Sequence, residues 1–245
     1  MGKWQEYLET TKYMNLPESQ QDKGEPQPPL QMPYDPSANL IQLPDGKDCP
    51  IDCLGFKKLV EARTSLRKYS QEALTLKELG YLLWATQGVK EVHKSKQFTL
   101  RTVPSAGARH PFETYVLINN VEGLAQGLYR YLALEHALIL VNDDPSINKI
   151  ITEGCFGQKQ VANSAVTFCW AADIARTYWR YSERSYRYVL LDAGHVCQNL
   201  YLAAESIGSG VCAIAAFDDD GMDAALGLDG IHQFTVYIAS LGKRA

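Results

Sequence analysis

Three short clusters combine cations, hydroxyls and small residues in patterns suited to holding an anion. In "EARTSLRKY", Arg63, Ser65 and Arg67 stand at i, i+2 and i+4, where a helix ends and the chain turns. Two guanidinium groups and a hydroxyl at that spacing supply charge-assisted bonds and a geometry that fit a phosphate. The same residues also read as a solvated basic helix end favoured by the helix macrodipole. In "RTVPSAGARHPFETYVLI", Pro104, Ser105, Ala106 and Gly107 precede Arg109 and His110. Small residues expose backbone N–H groups and let another molecule come close. Taken alone, the stretch is a tight turn with a helix N-cap. The third cluster is the terminal "GKR", with Lys243 and Arg244 behind an apolar strand; alone it reads as a charged tail.

The elements that must position these clusters follow from periodicity. "GFKKLVEARTS" predicts a helix and "RKYS" a bend. "TLKELGYLLWATQG" opens with a capping box, Thr75 and Glu78, carries Leu79, Leu82 and Leu83 at helical spacing, and stops at Gly88. A strand over 113–119 follows, then a hairpin from "GLYRYLAL" and "HALILV", a helix around 146–154 and a strand over 164–172. The longest helix spans 183–207. Its apolar residues recur every three or four positions, and Leu191 and Leu202 widen the stripe. That pattern predicts burial nearly all round, with a subunit interface as one cover. A short helix over 219–226 and the strand "QFTVYIASL" end the chain. Helices and strands mix without βαβ alternation, so the fold class is α+β. Residues 14–50, rich in Pro, Gln, Ser and Asp, read as an extended arm lying along a surface. The domain reading is therefore an arm over 1–53 and one domain over 54–245.

Bulk properties remove several function classes. The chain has 245 residues, a net charge of −4, 46% hydrophobic and 21% charged residues. This composition supports a sizeable core. It gives no strong positive field for nucleic acid. No apolar run reaches membrane-spanning length, and the first residues lack a signal-peptide core. The six cysteines, several inside apolar runs, read as buried reduced thiols of a cytoplasmic protein. Cys49 and Cys53 lack a matching pair at zinc spacing, so no metal site is expected.

From about residue 54 onward the chain resembles the nitroreductase superfamily of FMN-dependent oxidoreductases, and within it the SagB-type dehydrogenase branch. The stretches that carry the resemblance are "EARTSLRKY", "LGYLLWATQGV", "LRTVPSAGARHPFETYVLIN", "GLYRYLALEHAL" and "RSYRYVLLDAGHVCQNLYLAAESIGSGVCAIAAFDDD". It implies a central mixed β-sheet flanked by helices in an intertwined homodimer. It implies that Arg63, Thr64, Ser65 and Arg67 hold the FMN phosphate and ribityl chain, with Lys243 closing over the phosphate and Arg244 beside it. A phosphate monoester carries about −1.5 to −2 charges near neutrality, so two or three cations suit it. Pro104, Ser105, Ala106 and Gly107 then form the backbone platform under the flavin, a segment that in such proteins often comes from the partner subunit. Gln158 falls near the pyrimidine edge of the ring. Ala213, Ile214, Ala215 and Ala216, in "CAIAAFDD", fall near its N5.

Two departures from the family pattern matter. Many simple nitroreductases carry Glu-Gly where this chain has Ala215-Ala216. The peptide-azoline dehydrogenases of the branch carry a Lys-Tyr pair where this chain has Arg180-Tyr181. Arginine stays protonated and cannot act as a base, whereas Tyr181 can donate or relay a proton. Ordinary helix-entry packing would account for both residues equally well. The expected activity is hydride transfer through flavin N5, with two sub-cases. One is reduction of a nitro, quinone or enone acceptor by NAD(P)H. The other is dehydrogenation of a peptide or small heterocycle. The competing reading is a flavin-binding, non-catalytic partner in a peptide-maturation complex.

Overall fold

Strands β4 (Phe112–Ile118) and β7 (Val166–Asp173) pair at the centre of the fold and are buried along their whole length. Side chains of a strand alternate between faces. Val116, Ile118, Phe168 and Trp170 point into one core cluster, and Tyr115, Leu117, Cys169 and Ala171 into the other. That two-sided burial explains why both segments are nearly continuous apolar runs. The computed structural model describes residues 2–51, 55–95 and 97–245; Cys53 lies outside the described residues.

The other elements, in chain order, are α1 (Lys3–Thr10), β1 (Ile41–Gln42), α2 (Phe56–Ala62), α3 (Leu76–Gln87), β2 (Val89–Val92), β3 (Thr99–Arg101), β5 (Gly127–Leu132), β6 (Ala137–Asn142), α4 (Ile147–Gly154) and α5 (Lys159–Ala162). After β7 come α6 (Ile174–Tyr181), α7 (Ser185–Glu205), β8 (Ser209–Ile214), α8 (Asp219–Leu226) and β9 (Gln233–Lys243). The seven-stranded sheet has the order β1-β6-β5-β4-β7-β9-β8, and β2 and β3 form a separate ribbon. The fold is α+β, as expected. Every named strand pair is antiparallel. The parallel component at the sheet edge is one bridge, Ser65 to Val211 on β8.

Helices α3 and α7 cover one face of the sheet, α4 and α8 the other. The Thr75–Glu78 capping box starts α3 as predicted. The first predicted helix ends early, because Arg63 leaves it with ψ 118° and the chain runs on extended. Within this chain α7 is covered on one side only. Val189, Ala193, Val196 and Leu200 face the core, but Leu190 is 64% and Leu191 60% exposed. The expectation of burial all round is thus corrected for the single chain.

The first fifty residues are tied to the body through their backbone. Arg184 Nη1 and Arg187 Nη2 donate to the carbonyls of Thr11 (2.7 Å) and Leu8 (2.9 Å). Trp179 Nε1 donates to Glu25 O (2.9 Å), and Arg130 Nη2 to Pro33 O (2.9 Å). The Met32 amide donates to Glu113 Oε1 (2.8 Å), a carboxylate that also receives buried Arg176.

Candidate functional site

The extended segment after α2 brings the first cluster against the edge of β8. The Leu66 amide donates to Val211 O across 2.8 Å. A Cβ on Gly210 would collide with Leu66, and one on Gly242 with Tyr69, so the close approach requires glycine at both places. Ser65 Oγ lies 3.0 Å from the Tyr201 hydroxyl, which also accepts the Ala213 amide at 2.9 Å. The Arg63 guanidinium stacks 5.3 Å from the Tyr201 ring centre, and Arg67 lies beside Cys212, opposing the rise in thiol pKa that burial causes. Among the described residues no carboxylate pairs with Arg63 or Arg67. Thr64 is exposed. Lys243 is already engaged: Nζ pairs with Glu78, sits 3.9 Å from Glu72 and donates to Ile207 O at 3.3 Å. Arg244 is held by Glu205.

The second cluster forms on the other side of α7. Ala106 N donates to Asp192 Oδ1 at 3.3 Å, and His110 N to Ser105 Oγ at 2.9 Å. Gly107 has φ 57°, and a Cβ there would meet the Tyr181 hydroxyl and the Arg180 chain. The sequence-predicted pair Arg180-Tyr181 and the small-residue stretch 104–107 are therefore brought into contact. Arg109 stacks 5.4 Å from the Trp179 ring centre and donates from Nε to Gly107 O at 3.3 Å. Backbone strain concentrates here: Ala108, His110 and Ser182 all have φ between 46° and 53°, a region costly for residues with a Cβ. Burial pushes the Tyr181 phenol pKa up, so its hydroxyl stays protonated at neutral pH. Burial and the nearby Arg101 push His110 down to about 3, and it is neutral there.

A third contact joins two more predicted positions, for Gln158 Nε2 donates to Ala216 O at 2.9 Å. Ala215 and Ala216 are exposed, and Ile214 is buried within β8. Asp192 and Tyr201 are nine residues apart on α7. At 100° and 1.5 Å per residue they project from opposite flanks, about 14 Å apart along the axis. The outer face between the flanks carries Leu191, and Leu190 lies along the Tyr201 flank; both are exposed. The two clusters of one chain therefore do not close on each other.

Tyr201 and Asp192 were not singled out from sequence. Tyr201 sits inside an apolar helical run, where an aromatic reads as core. Asp192 carried a usable signal, a lone acid flanked by the buried stripe residues Val189, Ala193 and Val196. The five described cysteines are buried and free. Among the described residues no group of three or more His, Cys, Asp or Glu side chains is arranged to hold a metal, and no helix is long and apolar enough to cross a membrane.

Comparison with known proteins gives the following. The model of the nitroreductase family matches residues 60–243. A protein of Methanocaldococcus jannaschii named "putative nitroreductase" is 32% identical over 204 residues, covering 83% of this chain and 96% of that protein. The microcin B17-processing protein of Escherichia coli is 29% identical over 135 residues, covering 53% of this chain and 49% of that one. A crystal structure from Anabaena variabilis, also named a putative nitroreductase, superposes with a TM-score of 0.69 at 26% identity over 86% of this chain. This chain spans 42% of that longer one.

Proposed function

The chain belongs to the nitroreductase family of oxidoreductases, and from that premise we propose that it is an FMN enzyme working as a homodimer on a small electron acceptor. The observation that carries the reading is the cluster at the edge of β8. There, two arginines without a carboxylate partner among the described residues stand with a serine and a tyrosine hydroxyl. This donor set fits a phosphate monoester. Arg63, Ser65 and Arg67 would hold it, with Thr64 at the rim. Lys243, neutralised by Glu78, contributes less than an unpaired cation would, and Arg244 is tied to Glu205. Bound FMN would supply the hydride-transfer chemistry at ring N5 that no side chain here can perform.

The protein's part is to bind, orient and donate. Pro104 to Gly107 would form the backbone platform under the ring, in a turn that Asp192 ties through the Ala106 amide and Tyr181 packs against at Gly107. The backbone of Ala213, Ile214, Ala215 and Ala216 would face the ring near N5, Ile214 keeping its side chain in the core, with Gln158 fixing the Ala216 carbonyl. Arg180 remains cationic, and Tyr181, with its pKa raised, is a proton donor rather than a base. That pair suits protonation of a reduced acceptor better than removal of a proton from a substrate. The reading therefore favours nitro, quinone or enone reduction, with NAD(P)H as electron donor.

The opposite flanks of Asp192 and Tyr201 support a two-chain site. The platform of one chain would complete the phosphate cluster of another across the exposed face of α7. That face borders a groove of about 1000 Å³ lined by Trp4, Leu8, Tyr186, Leu190, Leu191 and Phe234. Residues 1–53 act as an arm on the body 54–245, and the protein works in the cytoplasm.

The test is the visible spectrum of the purified protein, mass identification of any released chromophore, and anaerobic titration with NADH and NADPH. Released FMN and reduction by either nicotinamide support the proposal. FAD, or a colourless protein that cannot be reconstituted, overturns it. A second reading, a non-catalytic partner in peptide maturation with SagB-type relatives, draws on the 29% identity to the microcin B17-processing protein. A yellow protein that no donor reduces would favour that reading.

A further inference from the structure

Gly107 is touched by two arginine side chains. Arg180 packs its aliphatic stem against it, and Arg109 donates to its carbonyl. The two cations lie close enough that Arg180, after burial, is the largest cause pushing the Arg109 pKa down. Like charges this close repel, and Arg109 is only 6% exposed. Among the described residues neither has a carboxylate partner. Four acids on the neighbouring elements make other contacts, and Asp192 keeps only its Oδ2 unpartnered. Asp192 accepts Ala106, Glu183 accepts the Tyr178 hydroxyl, and Glu113 and Asp173 take Arg176. Of the five N–H groups of Arg109, two are used, on Gly107 O and Gln97 O. Arg180 has no hydrogen-bond acceptor among the described residues and rests 5.7 Å from the Tyr181 ring centre.

We infer that Arg109 and Arg180 bind the carboxylate of the site's small-molecule substrate beside the Tyr181 hydroxyl. The inference deepens the redox reading above and rests on it. An anion between the two guanidinium groups relieves a repulsion the chain leaves open, and planar forks match a planar carboxylate bidentately. A phosphate fits less well, because the turn has few amides left to give it. Ala106 donates to Asp192, Ala108 to Ser105 O, Arg109 to Ala106 O and His110 to Ser105 Oγ. The half-buried Tyr181 ring beside Arg180 gives an apolar surface for an aromatic or aliphatic body behind the carboxylate, while Trp179 backs Arg109 from the core. This binding set also gives a reason for arginine over lysine at 180, because the residue's task is a permanent two-donor charge rather than a proton.

The test is calorimetric titration of the full chain, saturated with FMN where it takes FMN, with phenylacetate, phenylacetamide and inorganic phosphate. Because the Arg63–Arg67 cluster can also take phosphate, phosphate binding is counted at this turn only where Arg180→Gln abolishes it. Phenylacetate should bind at least about ten-fold tighter than the amide, the size of one lost charge-assisted contact. Arg180→Gln and Arg109→Gln should each erase that preference, and Arg180→Lys should restore part of it. Arg180 is exposed, so its variants report even if the buried Arg109 variant fails to fold. Equal binding of acid and amide, or a preference that survives Arg180→Gln, overturns the proposal. Phosphate binding tighter than phenylacetate overturns the carboxylate class. The flavin spectrum of the same samples separates the two readings. FMN uptake without acid preference sinks only this inference, and acid preference without FMN uptake sinks the flavin reading.

Discussion

Asp192, in the middle of α7, accepts the amide of Ala106 on Oδ1, while its Oδ2 is buried with no hydrogen-bond partner. A half-satisfied carboxylate is a costly way to hold a turn, and burial raises its pKa above the ordinary aspartate range. A carboxyl with a raised folded pKa stabilises most at pH below its unfolded value of 3.8, and the benefit is lost as pH rises through the folded pKa. Asp192→Asn keeps an acceptor for Ala106 and carries no charge. The variant should melt higher than the wild type at pH 8, with the gap closing towards pH 4. A lower melting temperature at pH 8 would show that the charge itself holds the turn.

His110 shifts the other way. Its pKa falls from 6.5 to about 3, first through burial and then through Arg101. A depressed histidine contributes stability above its unfolded pKa that is lost as pH falls through the folded one. Between pH 6.5 and about 3 it should erode stability by about 1.4 kcal/mol per pH unit. Asn tolerates positive φ, so His110→Asn should flatten that part of the acid-unfolding profile, measured by urea titration at each pH. An unchanged slope would mean the imidazole is protonated in the fold.

Arg67→Ala should weaken FMN binding more than Arg244→Ala. Arg67 lacks a carboxylate partner among the described residues, whereas Arg244 is bound to Glu205. Losing one charge-assisted phosphate contact costs about 1.5–3 kcal/mol, or about ten- to a hundred-fold in affinity. Fluorescence titration of flavin-free protein compares the two; equal losses would remove Arg67 from the phosphate site.

Leu191→Arg puts a charge on the exposed side of α7 without touching the chain's own core. The variant should keep its circular dichroism, elute as a monomer and lose its yellow colour. A yellow monomer would show that the flavin site closes within one chain. Leu200→Arg asks a different question, because Leu200 is fully buried in the core of its own chain, and that variant should simply unfold.

Much of the frame was legible because its signals are local. The capping box of α3 and the apolar run of β7 each sit within a dozen residues, and the spacing along α7 repeats within its own 21. Helix α6 was missed for the opposite reason. Its buried face includes Arg176 and Thr177, and Arg176 is tolerable there because Glu113 lies across the sheet. The small-residue stretch and Arg180-Tyr181 were visible as separate motifs, but they stand about seventy positions apart in sequence and meet at Gly107 only through the tertiary fold. The engagement of Lys243 by Glu78 was hidden because Glu78 already had a local role in the cap.

The backbone ties of the first fifty residues set an order of events during synthesis. Leu8 and Thr11 leave the ribosome early, yet the arginines that grip their carbonyls are Arg184 and Arg187. At about 5–20 residues per second the segment waits roughly 10–35 s for its partners to be made. During that interval the two carbonyls lack the guanidinium groups that hold them, and the prolines and polar residues of the first fifty positions keep the segment from collapsing on its own. The segment around Leu8 and Thr11 is thus held only once the start of α7 has been made.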